Sequence, residues 1–155
     1  MKLIKTETNK FVFHISQREK HLLFDLLKLY PLVRSDYQPL SKTAEPVQMK
    51  VDQQLLEDAL SAQKLENKKE LEKFLKEQKR FSEHKGGYRF DLDVHQMEWL
   101  LQILNDIRVG NWLLLGSPEP AQTKGLNVNE RNAPHVWAME ISGYFQMVLL
   151  DAFNR

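Results

Sequence analysis

There is no cysteine among the 155 residues. A disulfide framework, a thiolate nucleophile and a cysteine-bound metal are therefore excluded. Glycine is sparse, and its six occurrences build no phosphate loop, no Gly-x-Ser-x-Gly elbow and no dinucleotide fingerprint. No apolar run reaches the roughly 18 residues a membrane span needs. The longest candidate, 136–150, is broken by Glu140, Ser142 and Gln146. The opening Met1-Lys2-Leu3-Ile4-Lys5-Thr6-Glu7 lacks the apolar stretch of a secretion signal, so the expected localisation is cytoplasmic. An excess of one charge is missing too. The formal net charge is +1, which gives no general push toward nucleic acid or anionic membranes.

What is present is the composition of a folded domain, 42% hydrophobic and 28% charged. The length suggests one domain over 1–155, large enough to bury a core without staples.

Within it, one pattern occurs twice. Phe13-His14-Ile15-Ser16-Gln17-Arg18-Glu19 lines up with Phe90-Asp91-Leu92-Asp93-Val94-His95-Gln96. Phe11, Phe13 and Ile15 alternate with Val12, His14 and Ser16, and Tyr88, Phe90 and Leu92 alternate with Arg89 and Asp91. That is the period of a strand with one apolar face. Ser16 with Glu19, and Asp93 with Gln96, then have the spacing of a capping box. Apolar helix patterns follow, with Leu22, Leu23, Leu26 and Leu27 in the first and Trp99, Leu100, Ile103 and Leu104 in the second.

The spacing predicts a helix from Gln17 to Tyr30, ended by Pro31. A loop covers 31–50, with prolines at 31, 39 and 46. Leu55, Leu56, Ala59 and Leu60 then begin a helical stripe. Asn67 with Glu70 repeats the capping-box spacing, so 52–82 reads either as two helices or as one. Gly86-Gly87 is a turn. A helix runs from about 94 to 115, a long polar loop spans 116–135, and Val136 to Phe153 form the last helix. The expected fold is mainly α with a small two-stranded β-sheet that joins 11–15 to 88–92. The helices would form a bundle around a buried helix at 94–115, because that helix is apolar over most of its circumference.

Two polar residues fall within that apolar arc, Arg108 and Asn111. A buried guanidinium needs a partner. Arg108 is expected either to meet Asp106, Glu140 or Asp151, or to run past Trp112 into solvent. Asp106, Arg108, Asn111, Glu140 and Tyr144 together form the candidate polar cluster. Gly143, beside Ser142, suggests a close helix crossing. Among the five histidines no pair has i,i+4 spacing. Only His14 and His95, with Asp91 or Asp93, make a notional metal site, and exposed histidines are the simpler reading. The run 64–85 carries charges of both signs, with Phe74 and Phe81 the only interleaved aromatics. This reads as a solvated face, with nucleic-acid binding the sharper alternative.

The stretch Trp99 to Leu115, with Leu104-Asn105-Asp106-Ile107-Arg108 at its centre, resembles a helix of an uncharacterised bacterial family, the domain of unknown function numbered two-zero-one-seven. In that family a phenylalanine-containing strand and a cap precede the helix. A loop and a tryptophan-containing helix follow it, matched here by Val136-Trp137-Ala138-Met139-Glu140. The resemblance covers mainly 88–155, with an echo in 11–31. It implies a bacterial protein with no established activity. The family's genes often lie near that of an adaptor of the Clp protease, which implies a tie to proteostasis.

These readings favour a non-enzymatic protein-interaction or regulatory module that uses no cofactor and has a protein partner or self-association as a homodimer, because excess apolar helix surface marks interfaces. The alternative is a small-ligand binder or enzyme with a pocket near Arg108, Asn111, Glu140 and Tyr144.

Overall fold

In a computed structural model of the chain, described for residues 1–32, 47–119 and 127–155, the repeated pattern extends well beyond a strand and a helix. Strands β1 (Lys2–Glu7) and β2 (Lys10–Ser16) form a hairpin that runs directly into helix α1 (Gln17–Leu27), after which comes the long helix α2 (Val47–Lys76). A single turn of 3-10 helix (Gln78–Arg80) leads to the second half. There β3 (Ser82–His84) and β4 (Gly87–Asp93) form a hairpin that runs into α3 (Val94–Leu114), and α4 (Ala133–Phe153) closes the described chain.

The sheet has four strands, all antiparallel, in the order β1-β2-β4-β3. This corrects the expected two-stranded sheet. The central pair is the expected one, and the two outer strands escaped the sequence reading for a physical reason. β1 is an edge strand of which only Leu3 is even half-buried, so it shows no alternation of apolar and polar residues. β3 is three polar residues long.

The two hairpin–helix units, β1-β2-α1 and β3-β4-α3, are related by a pseudo-twofold axis. Counterparts lie 77 positions apart, as Phe90 is to Phe13. Asn9 turns the first hairpin at φ +62° and its counterpart Gly86 turns the second at φ +76°. Glu7 opposite Lys10 corresponds to His84 opposite Gly87. Both capping boxes are closed. Ser16 Oγ accepts from the Glu19 N–H and Glu19 accepts from the Ser16 N–H, at 3.2 and 2.9 Å. The Asp93 and Gln96 pair does the same at 2.7 and 3.1 Å.

The inner face of the sheet presents Phe11, Phe13, Ile15, Phe90 and Leu92, all buried. Leu23, Leu26 and Leu27 of α1, Met97, Leu100, Ile103, Leu104 and Ile107 of α3, and Phe145 and Leu149 of α4 pack against it. Helix α3 buries one face, from Met97 to Asn111, rather than most of its circumference as expected, and Val109, Trp112, Leu113 and Leu114 near its end are exposed.

Helix α2 is a single helix, which settles the 52–82 alternative. Asn67 does not cap a second helix. It is buried in mid-helix, where its amide donates to the Tyr30 hydroxyl at 3.3 Å and accepts from Gln63 at 3.2 Å. The helix stops at Lys76, so Phe81 lies beyond it, in the core. Residues 33–46 and 120–126, which hold much of the two expected loops, lie outside the described residues. The flanking residues 47–50 and 133–135, assigned to those loops, are helical instead.

Candidate functional site

Helices α3 and α4 pack side by side, and between them lies an open groove of about 700 Å³. Asn105, Arg108, Val109 and Trp112 of α3 form one wall. Met139, Glu140, Gly143, Tyr144 and Met147 of α4 form the other, and Pro118 and Glu119 close one end. The indole N–H of Trp112 donates to the Pro118 carbonyl at 3.0 Å, which fixes the ring at the rim.

Three of the five candidate residues meet here: Arg108, Glu140 and Tyr144. The other two do not. Asn111 is buried, donates to the Ile107 carbonyl at 2.7 Å and stands 2.9 Å from Nδ1 of His135. It joins α3 to the first turn of α4. Asp106 is half-buried on the side toward Lys64 of α2. Burial pushes its carboxyl above the usual range, and Lys64 opposes that.

Among the described residues no salt bridge joins Arg108 to Asp106, Glu140 or Asp151. Asp151 is held by Arg155 at 2.9 Å. Of the two readings of Arg108, an ion pair and a side chain that runs to solvent, the second is the one seen. Arg108 is exposed and lies across Gly143, so its charge stays in water and needs no buried partner. The expected close crossing at Gly143 is corrected as well. A Cβ there would meet only Arg108 Nε, at an ordinary 3.9 Å.

At the inner end of the groove is a contact that sequence reasoning missed. The Tyr144 hydroxyl donates to Glu19 Oε1 at 2.7 Å and accepts from the Met1 amino group at 2.7 Å. That amino group also donates to Glu19. The burial of Glu19 would raise its pKa, but the hydrogen bonds from the Met1 amino group, the Ser16 N–H and Tyr144 outweigh it and hold the carboxyl at about 2. Burial and the adjacent carboxylate push the Tyr144 phenol up to about 12. Glu19 was legible as a cap residue. Its partners are far away along the chain, and no local spacing announces them. In the other half, Arg80 plays the role of the Met1 amino group, donating to Gln96 Oε1 at 3.2 Å.

The remaining candidates disperse. His14 stands opposite Arg89, with its ring beside that of His84, while His95 reaches Glu70 from the first turn of α3. Among the described residues no three metal-ligating side chains converge. Phe74 and Phe81 are buried, so neither is free to stack on a base. No helix among the described residues is long and apolar enough to cross a membrane. No protein family, curated protein or solved structure matches the chain.

Proposed function

We propose that this protein is a small cytoplasmic interaction or regulatory module that performs no chemistry of its own, and that the α3–α4 groove docks a segment of a protein partner. One observation carries the reading. Trp112 (37% exposed) and Met147 (61%) face each other's helices across an open groove, with Val109 exposed beside them. Tryptophan, methionine and arginine are the residue types enriched in interface cores and rims. Methionine also adapts its shape to different partners. Arg108, Asn105 and Glu140 supply a polar rim. The resemblance of 88–155 to family two-zero-one-seven belongs to the same proposal.

The test is co-purification from the native cell, with the wild-type chain, Val109→Glu and Met147→Glu as baits. A protein recovered in stoichiometric amount with the wild type, and lost with both folded variants, supports the reading. Equal recovery with the variants overturns it, as does recovery of no partner. A metabolite that raises the melting temperature of the wild type but not of Arg108→Ala would transfer the groove to small-ligand binding.

A further inference from the structure

The ammonium of Lys20 stands over three aromatic rings at once. Its Nζ lies 4.2 Å from the ring centroid of Tyr88, 4.7 Å from that of Phe81 and 5.4 Å from that of Phe24. Helical spacing accounts for one of these contacts, since Phe24 follows Lys20 by one turn of α1. The other two rings come from distant stretches, the segment between the 3-10 turn and β3, and β4 itself. Phe24 and Phe81 meet at 73° with centroids 5.4 Å apart, so they form a corner rather than a stack. Rings that converge in this way bring their negative faces to bear on one point, the arrangement that takes a cation.

The walls are held from behind. Phe81 packs against Phe90 at 4.9 Å and Phe74 at 6.1 Å, and Phe24 against Phe74 at 6.5 Å. The mouth is at the surface, because Lys20, Phe24 and Tyr88 are half-buried and Gln78 beside them is exposed. The lysine itself is held weakly. Among the described residues no carboxylate forms a salt bridge with it, and its ammonium donates to Gln78 Oε1 at a long 3.4 Å. Arg80 makes the contrast. It too lies over a ring, that of Phe74, but Glu77 anchors it at 2.8 Å and the Asp91 carbonyl accepts from it at 3.1 Å.

We propose that Phe24, Phe81 and Tyr88 form a binding site for a quaternary ammonium group, and that Lys20 is its tethered occupant, which such a ligand displaces. A primary ammonium is a compact, strongly hydrated charge, and it gives up water to sit against rings. A trimethylammonium group has no N–H to leave unpaired and sheds its water more easily, so the same attraction comes at a smaller cost. Lys20 acts as an intramolecular competitor that raises the threshold for the ligand. The trimethylammonium head can be that of a free choline-like molecule or of a trimethylated lysine side chain. None of the three rings lines the α3–α4 groove, so this site and the docking reading can fail separately.

Choline and N-acetyl-trimethyllysine amide are each titrated into the full-length protein and followed by NMR shifts of the Phe24 and Tyr88 ring protons. Choline is expected to bind at least about fivefold more tightly than 3,3-dimethylbutanol, its neutral isostere, and trimethyllysine by the same margin over unmodified lysine. Binding of choline alone points to a small molecule, and of trimethyllysine alone to a methylated protein. Lys20→Ala removes the competitor and should tighten binding by about threefold or more. Tyr88→Leu, which keeps an apolar side chain but takes away a wall, should weaken it by about fivefold or more. Val109→Glu in the groove should change nothing. Equal binding of the neutral isostere, no tightening in Lys20→Ala, or no binding of either probe would each overturn the proposal.

Discussion

Phe13 and Phe90 stand directly opposite one another on the two central strands, their rings stacked with centroids 5.6 Å apart, and each is the other's counterpart in the repeated unit. Only a residue on a twofold axis can pair with its own counterpart, so this pair marks the pseudo-dyad. Both side chains are buried, and each half-sheet meets its twin there. Phe13→Ala and Phe90→Ala should each destabilise the fold by about 3–5 kcal/mol, the cost of a large core truncation. The double variant should cost less than the sum, by about 0.5–1.5 kcal/mol, because the stacking term is lost only once. Urea denaturation of the four chains measures this. Strict additivity would mean that the rings do not interact across the axis.

The two capping boxes sit at opposite ends of the central strand pair, since Ser16 lies across from Gly87 and Asp93 across from Lys10. Six residues of strand separate them, roughly 20 Å at 3.3 Å per residue. Ser16→Ala and Asp93→Ala should each cost about 1 kcal/mol. Over that distance the two losses should add to within about 0.5 kcal/mol. Thermal and urea unfolding of the single and double variants check both points. A coupling well outside that range would show that the two helix starts are not independent.

How far the sequence was legible follows from where its signals are local. The caps could be read because each is a spacing of three residues. The β2 and β4 pair could be read because Phe11, Phe13, Ile15, Phe90 and Leu92 alternate on one face. Strand β1 could not, since an edge strand wet on nearly every residue has no period to show. A local sign did exist in Asn9, which turns a two-residue hairpin loop between Glu7 and Lys10 and tolerates φ > 0. In the groove, helical spacing brought Arg108, Glu140 and Tyr144 to one place but left open whether Arg108 is paired or reaches water. Periodicity reports the side of a helix, not whether a long side chain reaches water. Tyr144 and Glu19 are 125 positions apart, and only the packed fold joins them.

Acid should expose two of these contacts in sequence. Burial, with Lys85, His14 and Arg89 nearby, depresses the His84 imidazole below its ordinary 6.5, and its Nδ1 has no partner among the described residues. A base whose folded pKa is depressed favours the fold while neutral, so this contribution is lost as the pH falls below 6.5. Glu19, held at about 2 against an ordinary 4.5, favours the fold above 4.5 and loses that contribution between 4.5 and 2. Melting temperatures measured from pH 7 to pH 2 should therefore fall in two stages. His84→Gln should flatten the upper stage and Glu19→Gln the lower. A lower stage unchanged in Glu19→Gln would show that the Met1, Glu19 and Tyr144 contact does not carry the acid sensitivity.

Asp106 has the opposite sign. Burial raises its carboxyl above the ordinary 3.8, so the folded state resists its ionisation, and the cost appears as the pH rises through the folded value. Asp106→Asn should raise the melting temperature at pH 7 and leave it unchanged at pH 3, where the acid is protonated in the folded chain. A loss of stability at pH 7 would mean that attraction to Lys64 outweighs burial.

Two glycines separate what space allows from what backbone geometry demands. At Gly87 a Cβ would come within 2.5 Å of the Ile15 carbonyl oxygen and 3.0 Å of His14 Nε2, in the strand pair that carries the pseudo-dyad. Backbone cannot step aside there without opening the sheet, so Gly87→Ala should cost about 1–3 kcal/mol. At Gly143, on the wall of the groove, a Cβ would meet Arg108 Nε at 3.9 Å, and the arginine is exposed and free to shift. A helix interior gains about 0.5–1 kcal/mol when glycine becomes alanine, so Gly143→Ala should stabilise. Urea unfolding of the two variants should move the midpoint in opposite directions. Destabilisation by Gly143→Ala would show that α3 and α4 lie closer together than this packing describes, and that the groove is narrower than a docking segment needs.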